Sequence, residues 1–198
     1  MSRRGRSKHT AGTYFIAKAH PTLPETESND YTGPWLNRDD KIRQIDRLYE
    51  ENPLEIPIGL DHRDADKFGL IKETDVLGRV IDLFTNKDQE LMVKFEIFDD
   101  HHEKYEELNQ QLCYNKNLHW GVSVGIMITR NEDGSPFKNL AHIALTTDPY
   151  FADYNTYISH WHTNEDILNA VIEKSFIKDA DYVTEAFQEK IKGINCNI

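Results

Sequence analysis

The sequence predicts a mainly β protein with added helices: a mostly antiparallel β-barrel, or a strongly curved sheet, surrounded by helices. Three observations point there. Short β-forming runs recur from residue 12 to residue 147, separated by clusters of turn-forming residues. Within that span only two stretches carry helical periodicity. After Asp148-Pro149 the pattern changes, and the chain reads as helical towards its end.

In chain order, "GTYFIA" (Gly12 to Ala17) is rich in β-formers and predicts the first strand. Residues 20–34 hold prolines, acids, Ser28 and Gly33 and read as a loop. Asn37 then suits a helix N-cap with Asp40 three residues on, and Ile42, Ile45, Leu48 and Tyr49 continue one apolar stripe to about residue 50. Leu54 to Leu60 is expected to be the second strand, and residues 63–75 are polar and irregular. Val76 to Phe84 and Glu90 to Phe98 predict two strands joined by "TNKDQ". In the second of these, Val93, Phe95 and Ile97 alternate with Lys94 and Glu96, which predicts one wet face. Asp99 or Asp100 can cap a helix that places Tyr105, Leu108 and Leu112 on one side. His119 to Thr129 is a strand, "NEDGSPF" is turn chemistry, and Leu140 to Thr147 is the return strand. Two helices, 163–177 and 179–194, complete the chain, the first opened by a capping box of Thr163 and Asp166.

Composition bounds the function. The chain has 198 residues, enough for one domain with a substantial core, and its 38% hydrophobic content is not that of a disordered chain. The net charge of -11 argues against broad nucleic-acid or anionic-membrane binding. The basic start, Arg3-Arg4-Gly5-Arg6-Ser7-Lys8, is the local exception. It reads as a flexible tail over residues 1–11, with a nuclear-import signal as the alternative, leaving 12–198 as a single domain. Two cysteines, Cys113 and Cys196, make neither a disulfide framework nor a cysteine-based zinc site, and a reducing intracellular setting fits them. No run approaches the ~18 apolar residues of a membrane helix, and the start of the chain lacks the apolar core of a signal peptide.

The informative segment is "LHWGVSVGIMI", residues 118–128. Side chains alternate along a strand, so Trp120, Val122, Val124, Ile126 and Ile128 share a core face while Gly121, Ser123 and Gly125 share the other. Glycines weaken a strand interior unless something must approach closely. Ser123 is therefore either a nucleophile cleared for a substrate or part of a small-residue groove under a packed element. A hairpin centred near Asp133-Gly134 would put His142 on the same face as Ser123, opposite or nearly opposite. His62, at the end of "IPIGLDH", could supply the imidazole that bridges them. A serine needs a base to become a nucleophile, and the base needs a third group to orient it.

Three motifs also resemble the capsid maturation (assemblin-type) serine proteases of herpesviruses and their relatives, the prohead proteases of tailed phages. "PIGLDHRD" followed by "LGRVIDLF" resembles the segment that supplies the catalytic histidine; "HWGVSVGI" resembles the serine strand; "HIALTTDP" resembles the segment with the third triad member. The resemblance covers roughly residues 10–158 and includes the order His, Ser, His. It implies a β-barrel ringed by helices and endopeptidase activity without a cofactor, with His62 as general base, Ser123 as nucleophile and His142 as orienting residue. It further implies an internal capsid scaffold and the enzyme's own precursor as substrates, homodimerisation through C-terminal helices, and action in the assembling capsid, in the host nucleus if the herpesvirus likeness extends that far. One departure is clear. The Gly-Arg-Arg-Gly-like loop that builds the oxyanion hole in herpesvirus enzymes is replaced by "TTDPYFADYNTY". Backbone N–H groups near Thr146 to Asp148, or near Gly125, are the expected donors instead, with Arg79 and Arg130 as weaker electrophilic candidates.

Two rivals remain at this level. A metal-dependent hydrolase could draw on His101-His102 or on His160-Trp161-His162, although no His-Glu-x-x-His and no cysteine pair is present; the "DHRDAD" loop separately hints at a cation site but lacks the EF-hand pattern. A non-enzymatic capsid or scaffold module of the same fold would need none of the triad chemistry. With an uncharged third member, the pKa of His62 is not expected to be strongly raised from the unperturbed ~6.5, unless Asp61 or Asp64 folds back onto the ring. A face left open beside Gly121 and Gly125 is expected to receive an extended peptide.

Overall fold

The computed structural model describes residues 10–23, 35–49, 55–62, 65–66, 69–99, 103–114, 119–131 and 133–175. Seven strands form one mixed sheet. They are β1 (Thr10–His20), β2 (Pro57–Leu60), β3 (Gly78–Thr85), β4 (Leu91–Asp99), β5 (Gly121–Arg130), β6 (Pro136–Thr146) and β7 (Ile158–His162). Three α-helices accompany them among the described residues: α1 (Arg38–Tyr49), α2 (Glu103–Tyr114) and α3 (Glu165–Ser175). The strand order is β5-β6-β2-β3-β4-β1-β7. Every pairing is antiparallel except β2 with β6, where Ile58, Gly59 and Leu60 lie beside Ile143, Ala144 and Leu145.

The sheet curls until its two edges meet at one place. Gly121 of β5 bridges Tyr157, just before β7. The Val122 N–H donates to Thr156 O and the Ile158 N–H to Trp120 O, both at 2.9 Å. No ladder runs on from that bridge, so the closed barrel expected from the sequence is replaced by an open, curled sheet. Its inner face holds the main core, with Phe15, Val93, Phe95, Ile97, Val122, Val124, Ile143 and Leu145 all buried. A second apolar cluster lies on the other face, where Leu168 and Ile172 of α3 cover Ile16, Phe84 and Met92.

Several local details differ from expectation for physical reasons. Lys94 and Glu96 were expected on a wet face, yet they are only 2% and 5% exposed. The strand between β3 and β1 is covered on both sides: the Lys94 ammonium donates to Glu165 Oε1 and Asn169 Oδ1 of α3, and Glu96 takes the Gly12 N–H and the Arg79 guanidinium. Ile128 is 49% exposed because the β5–β6 hairpin runs on past the core. The helix after β7 is capped by Asn164, whose Oδ1 accepts the Asp166 N–H, rather than by Thr163. At α1 the capping box forms as the sequence implies: the Asp40 N–H donates to Asn37 Oδ1, and the Asn37 N–H to Asp40 Oδ2. β2 runs from Pro57 to Leu60, and Ile56 O still accepts the Val80 N–H before it; residue 54, where the strand was expected to begin, lies outside the described residues. β6 starts earlier than residue 140 because the hairpin turn is tight: the Asn131 N–H donates to Ser135 O, and Gly134 takes φ +83°. β7 was not anticipated as a strand. The helix expected at 179–194 lies outside the described residues.

Candidate active site

The strand pairing decides which chemistry can occur. In the β5–β6 ladder Ser123 sits beside Ala144 and Gly125 beside His142. Ser123 and His142 are thus diagonal neighbours on the face turned away from the main core, at a separation an imidazole can span. Parallel pairing brings the end of β2 alongside β6, and the Asp61 N–H extends it by donating to Leu145 O at 3.0 Å. Asp61 then takes φ +56°, a left-handed conformation that aspartate tolerates better than most residues. The strand ends there and His62 comes to lie over the two neighbours.

The three side chains named from the sequence meet in one hydrogen-bonded line. His62 Nε2 is 2.8 Å from Ser123 Oγ, and His62 Nδ1 is 2.9 Å from His142 Nε2. The two rings meet edge-on, with centroids 5.1 Å apart and planes at 68°. Beyond them, His142 Nδ1 is 2.8 Å from the Gly69 carbonyl oxygen. Ser123 and His142 are 4% and 3% exposed, while the His62 ring keeps a side open to solvent.

Burial disfavours the charged form of both imidazoles. The His62 pKa lies below its ordinary 6.5 because of desolvation first and the adjacent His142 second, with Asp61 pulling the other way. Desolvation also lowers His142, partly offset by its hydrogen bond to Gly69. The His62 pKa is thus not raised, and burial carries it below the ordinary value despite Asp61.

The glycines flanking Ser123 have a different role from the one expected. A Cβ on Gly125 would sit 2.0 Å from His142 Cε1 and 2.3 Å from its Nδ1, so this glycine makes room for the ring. A Cβ on Gly121 would meet Thr156 O at 2.6 Å and Pro149 Cγ at 3.0 Å, where the sheet edges join. The protein itself fills both spaces, and no open face for a peptide lies over them. The open space is a cleft of about 620 Å³ on the other side of Ser123, walled by Asp61, His62 and Val124 and, opposite, by Thr146 and Asp148 to Phe151.

That opposite wall was legible only as an Asp-Pro turn. It is tied down at several points: the Asp148 N–H donates to Thr146 Oγ1, the Ala152 N–H to Pro149 O, and the Lys18 ammonium to Tyr154 O. Phe151 is buried against Trp35, Tyr150 and His20. Gly69 was missed as well, although "DKFG" is turn chemistry whose Asp66 and Gly69 stand three apart. Arg79 and Arg130 are engaged elsewhere, with Glu96 and with Gly134 O in the hairpin tip. His160 Nδ1 meets Ser159 Oγ, and His162 Nδ1 accepts the Asn164 N–H. Among the described residues no group of three His, Cys, Asp or Glu side chains is placed to hold a metal ion; His101, His102 and Asp64 lie outside them. No helix of the described residues is long and apolar enough to cross a membrane.

No protein-family model matches the sequence, and no curated protein matches it. Solved structures do. The chain is similar to the protease of Kaposi's sarcoma-associated herpesvirus in complex with a hexapeptide phosphonate inhibitor, at 11% identity and a TM-score of 0.47, over 94% of this chain and 77% of that one. It is also similar to the same viral protease bound to an allosteric inhibitor, at 11% identity and a TM-score of 0.40, over 94% and 91% of the two chains.

Proposed function

We propose that this chain is a serine endopeptidase in which Ser123 is the nucleophile, His62 the general base and His142 the residue that orients the base. The observation that carries the reading is the unbroken line Ser123–His62–His142, with contacts of 2.8 and 2.9 Å, beside a cleft that opens on the serine. A hydroxyl is a poor nucleophile at its own pKa and becomes competent when a neutral imidazole takes its proton during attack. His62 Nε2 is within hydrogen-bond reach for that step.

Ser123 Oγ attacks the peptide carbonyl carbon as its proton passes to His62 Nε2. The resulting oxyanion falls to backbone N–H groups of the wall opposite Ser123, at Tyr150 or Phe151, since Pro149 has no N–H and that of Asp148 is bonded to Thr146 Oγ1. Collapse of the tetrahedral intermediate breaks the C–N bond, and the new imidazolium hands its proton to the leaving amine. Water then attacks the acyl-enzyme by the same route, with His62 again as base. His142 offers orientation and a lone pair but no negative charge, so the imidazolium is less stabilised than beside a carboxylate. Turnover slower than that of a digestive protease follows, which suits an enzyme used once per particle.

The three motifs that resemble capsid maturation proteases extend the proposal to biology. The substrate is an internal capsid scaffold protein together with the enzyme's own precursor, cleaved in the assembling capsid, and the active form is a homodimer. The test is labelling of the purified chain with a fluorophosphonate, with the modified residue located by mass spectrometry, alongside incubation with the cognate scaffold at pH 7.5. Label on Ser123 and discrete scaffold fragments are expected. An unreactive Ser123 with an intact scaffold would leave the non-enzymatic module in place of the protease.

A further inference from the structure

We infer that the Gly69 carbonyl is a fourth member of the relay, a positioning group that fixes the tautomer of His142 and through it the direction of every hydrogen bond back to Ser123. This rests on the protease reading.

A carbonyl oxygen can only accept. The His142 nitrogen 2.8 Å from Gly69 O is Nδ1, so Nδ1 carries the hydrogen. In a neutral ring Nε2 is then bare and must accept, and the His62 nitrogen facing it, Nδ1, must donate. That leaves His62 Nε2 bare, facing the Ser123 hydroxyl, in the one state able to take its proton. Were His142 to carry its hydrogen on Nε2 instead, it would donate to His62 Nδ1. His62 would then place its own hydrogen on Nε2, against Ser123, and the base would be silenced. Neutral histidine in water favours the Nε2–H form, so both rings need a reason to adopt the other. Gly69 supplies that reason at the far end of the line.

The carbonyl is held for this purpose by a strap built from the segment that also carries His62. The Ala65 N–H donates to His62 O, and Ala65 bridges Ile71. Within the strap the Gly69 N–H donates to Asp66 O, the Asp66 N–H to Leu70 O, and the Leu70 N–H to Asp66 Oδ1. Gly69 takes φ +76°, and a Cβ there would come within 3.1 Å of Ala141 Cβ, so the turn that aims its carbonyl at His142 favours glycine. The strap is seated by Ile71, whose Cδ1 occupies the space a side chain on Gly59 would need. Base and anchor are thus two points of one short segment, closed into a ring through His142. During attack the serine proton stops at His62 Nε2; the hydrogens on His62 Nδ1 and His142 Nδ1 stay where they are.

The test is long-range ¹H–¹⁵N correlation on the ¹⁵N-labelled full chain at pH 7.5. Both His62 and His142 are expected in the Nδ1–H form. An Nε2–H form at His142 overturns the inference, whatever the activity. Gly69→Ala and Asp66→Ala supply the functional arm. Each should lower kcat roughly 10–100-fold, with KM within about twofold of wild type. The acid limb of the kcat profile should also move further down, because the cationic pair loses an acceptor. Wild-type kcat in both variants, or a lower kcat with an unmoved limb, would mean that Gly69 does not act through the relay. The two readings fail separately: an inactive chain with unreactive Ser123 removes the protease, while an active chain with His142 in the Nε2–H form removes only the fourth member.

Discussion

At the scale of single residues, the line of contacts ranks the substitutions. On the proposed mechanism Ser123→Ala removes the nucleophile and should lower kcat by at least about 10⁴-fold without unfolding the chain. His62→Ala should be about as damaging, because the hydroxyl loses its base. His142→Ala should cost less, since it removes orientation but no charge. Gly125→Ala is the less obvious member of the series. Its methyl would press on a ring that is already wedged, at 2.0 Å from Cε1, so the imidazole must leave its place. Peptidase activity should fall to the level of His142→Ala or below, and fluorophosphonate labelling rates will compare the two. The depressed pKa of His62 sets the pH profile. The base must be neutral, and a lowered pKa keeps it neutral further into acid, so the rising limb should lie below 6.5 rather than above it. A limb centred above pH 7 would show that Asp61 outweighs burial and His142.

At the scale of elements, much was legible because periodicity and turn chemistry agree with packing. The β5–β6 hairpin follows from "NEDGSPF" between two apolar runs, and once it is drawn, Ser123 and His142 must share a face. His62 could be named as the residue to cover that face, but the strand pairing that carries it there could not. The parallel contact of β2 with β6 joins residues far apart in sequence, and no local signal marks it. For the same reason the flanking glycines looked open when they are filled, since their neighbours His142, Thr156 and Pro149 arrive from other elements. Lys94 and Glu96 misled in the opposite sense: alternation reports polarity, and the groups that meet them, Glu165 and Asn169 of α3 for Lys94 and Gly12 and Arg79 for Glu96, come from other elements. A further glycine tests element packing directly. A Cβ at Gly78 would lie 1.9 Å from Glu96 O, a backbone atom that cannot swing aside. Gly78→Ala should separate β3 from β4 and destabilise the fold by about 1–3 kcal/mol or more, read by urea unfolding. No loss of stability would mean that the two strands slide freely.

At the scale of the whole molecule, the paired imidazoles tie stability to pH. Both pKa values are lowered in the folded chain. Above about 6.5 neither state binds the extra protons and the full stability is present. As pH falls through 6.5 towards the folded values, the unfolded chain takes up protons that the folded chain refuses, and stability falls. Tm should therefore drop between pH 7.5 and 5.5, and His142→Gln should flatten that slope. Assembly belongs to the same scale. The proposed homodimer, expected from the sequence to form through residues 179–194, predicts a concentration-dependent sedimentation coefficient at micromolar protein, and activity that follows it. A monomer with full activity would sever the two.

The parallel seam between β2 and β6 also sets a timetable. His62 and Gly69 are synthesised early, and Ser123 and His142 much later. The relay cannot exist until β6 has inserted between β5 and β2, a contact of long sequence separation that closes slowly compared with local hairpins. A chain emerging from the ribosome, or collapsed but unsorted, carries every reactive group and remains inert. Competence is then among the last properties the polypeptide acquires, which on the proposed protease reading keeps the immature chain from cutting itself. During refolding of the full chain, fluorophosphonate reactivity should rise with the slowest phase and not with the burst of secondary structure seen by far-UV circular dichroism.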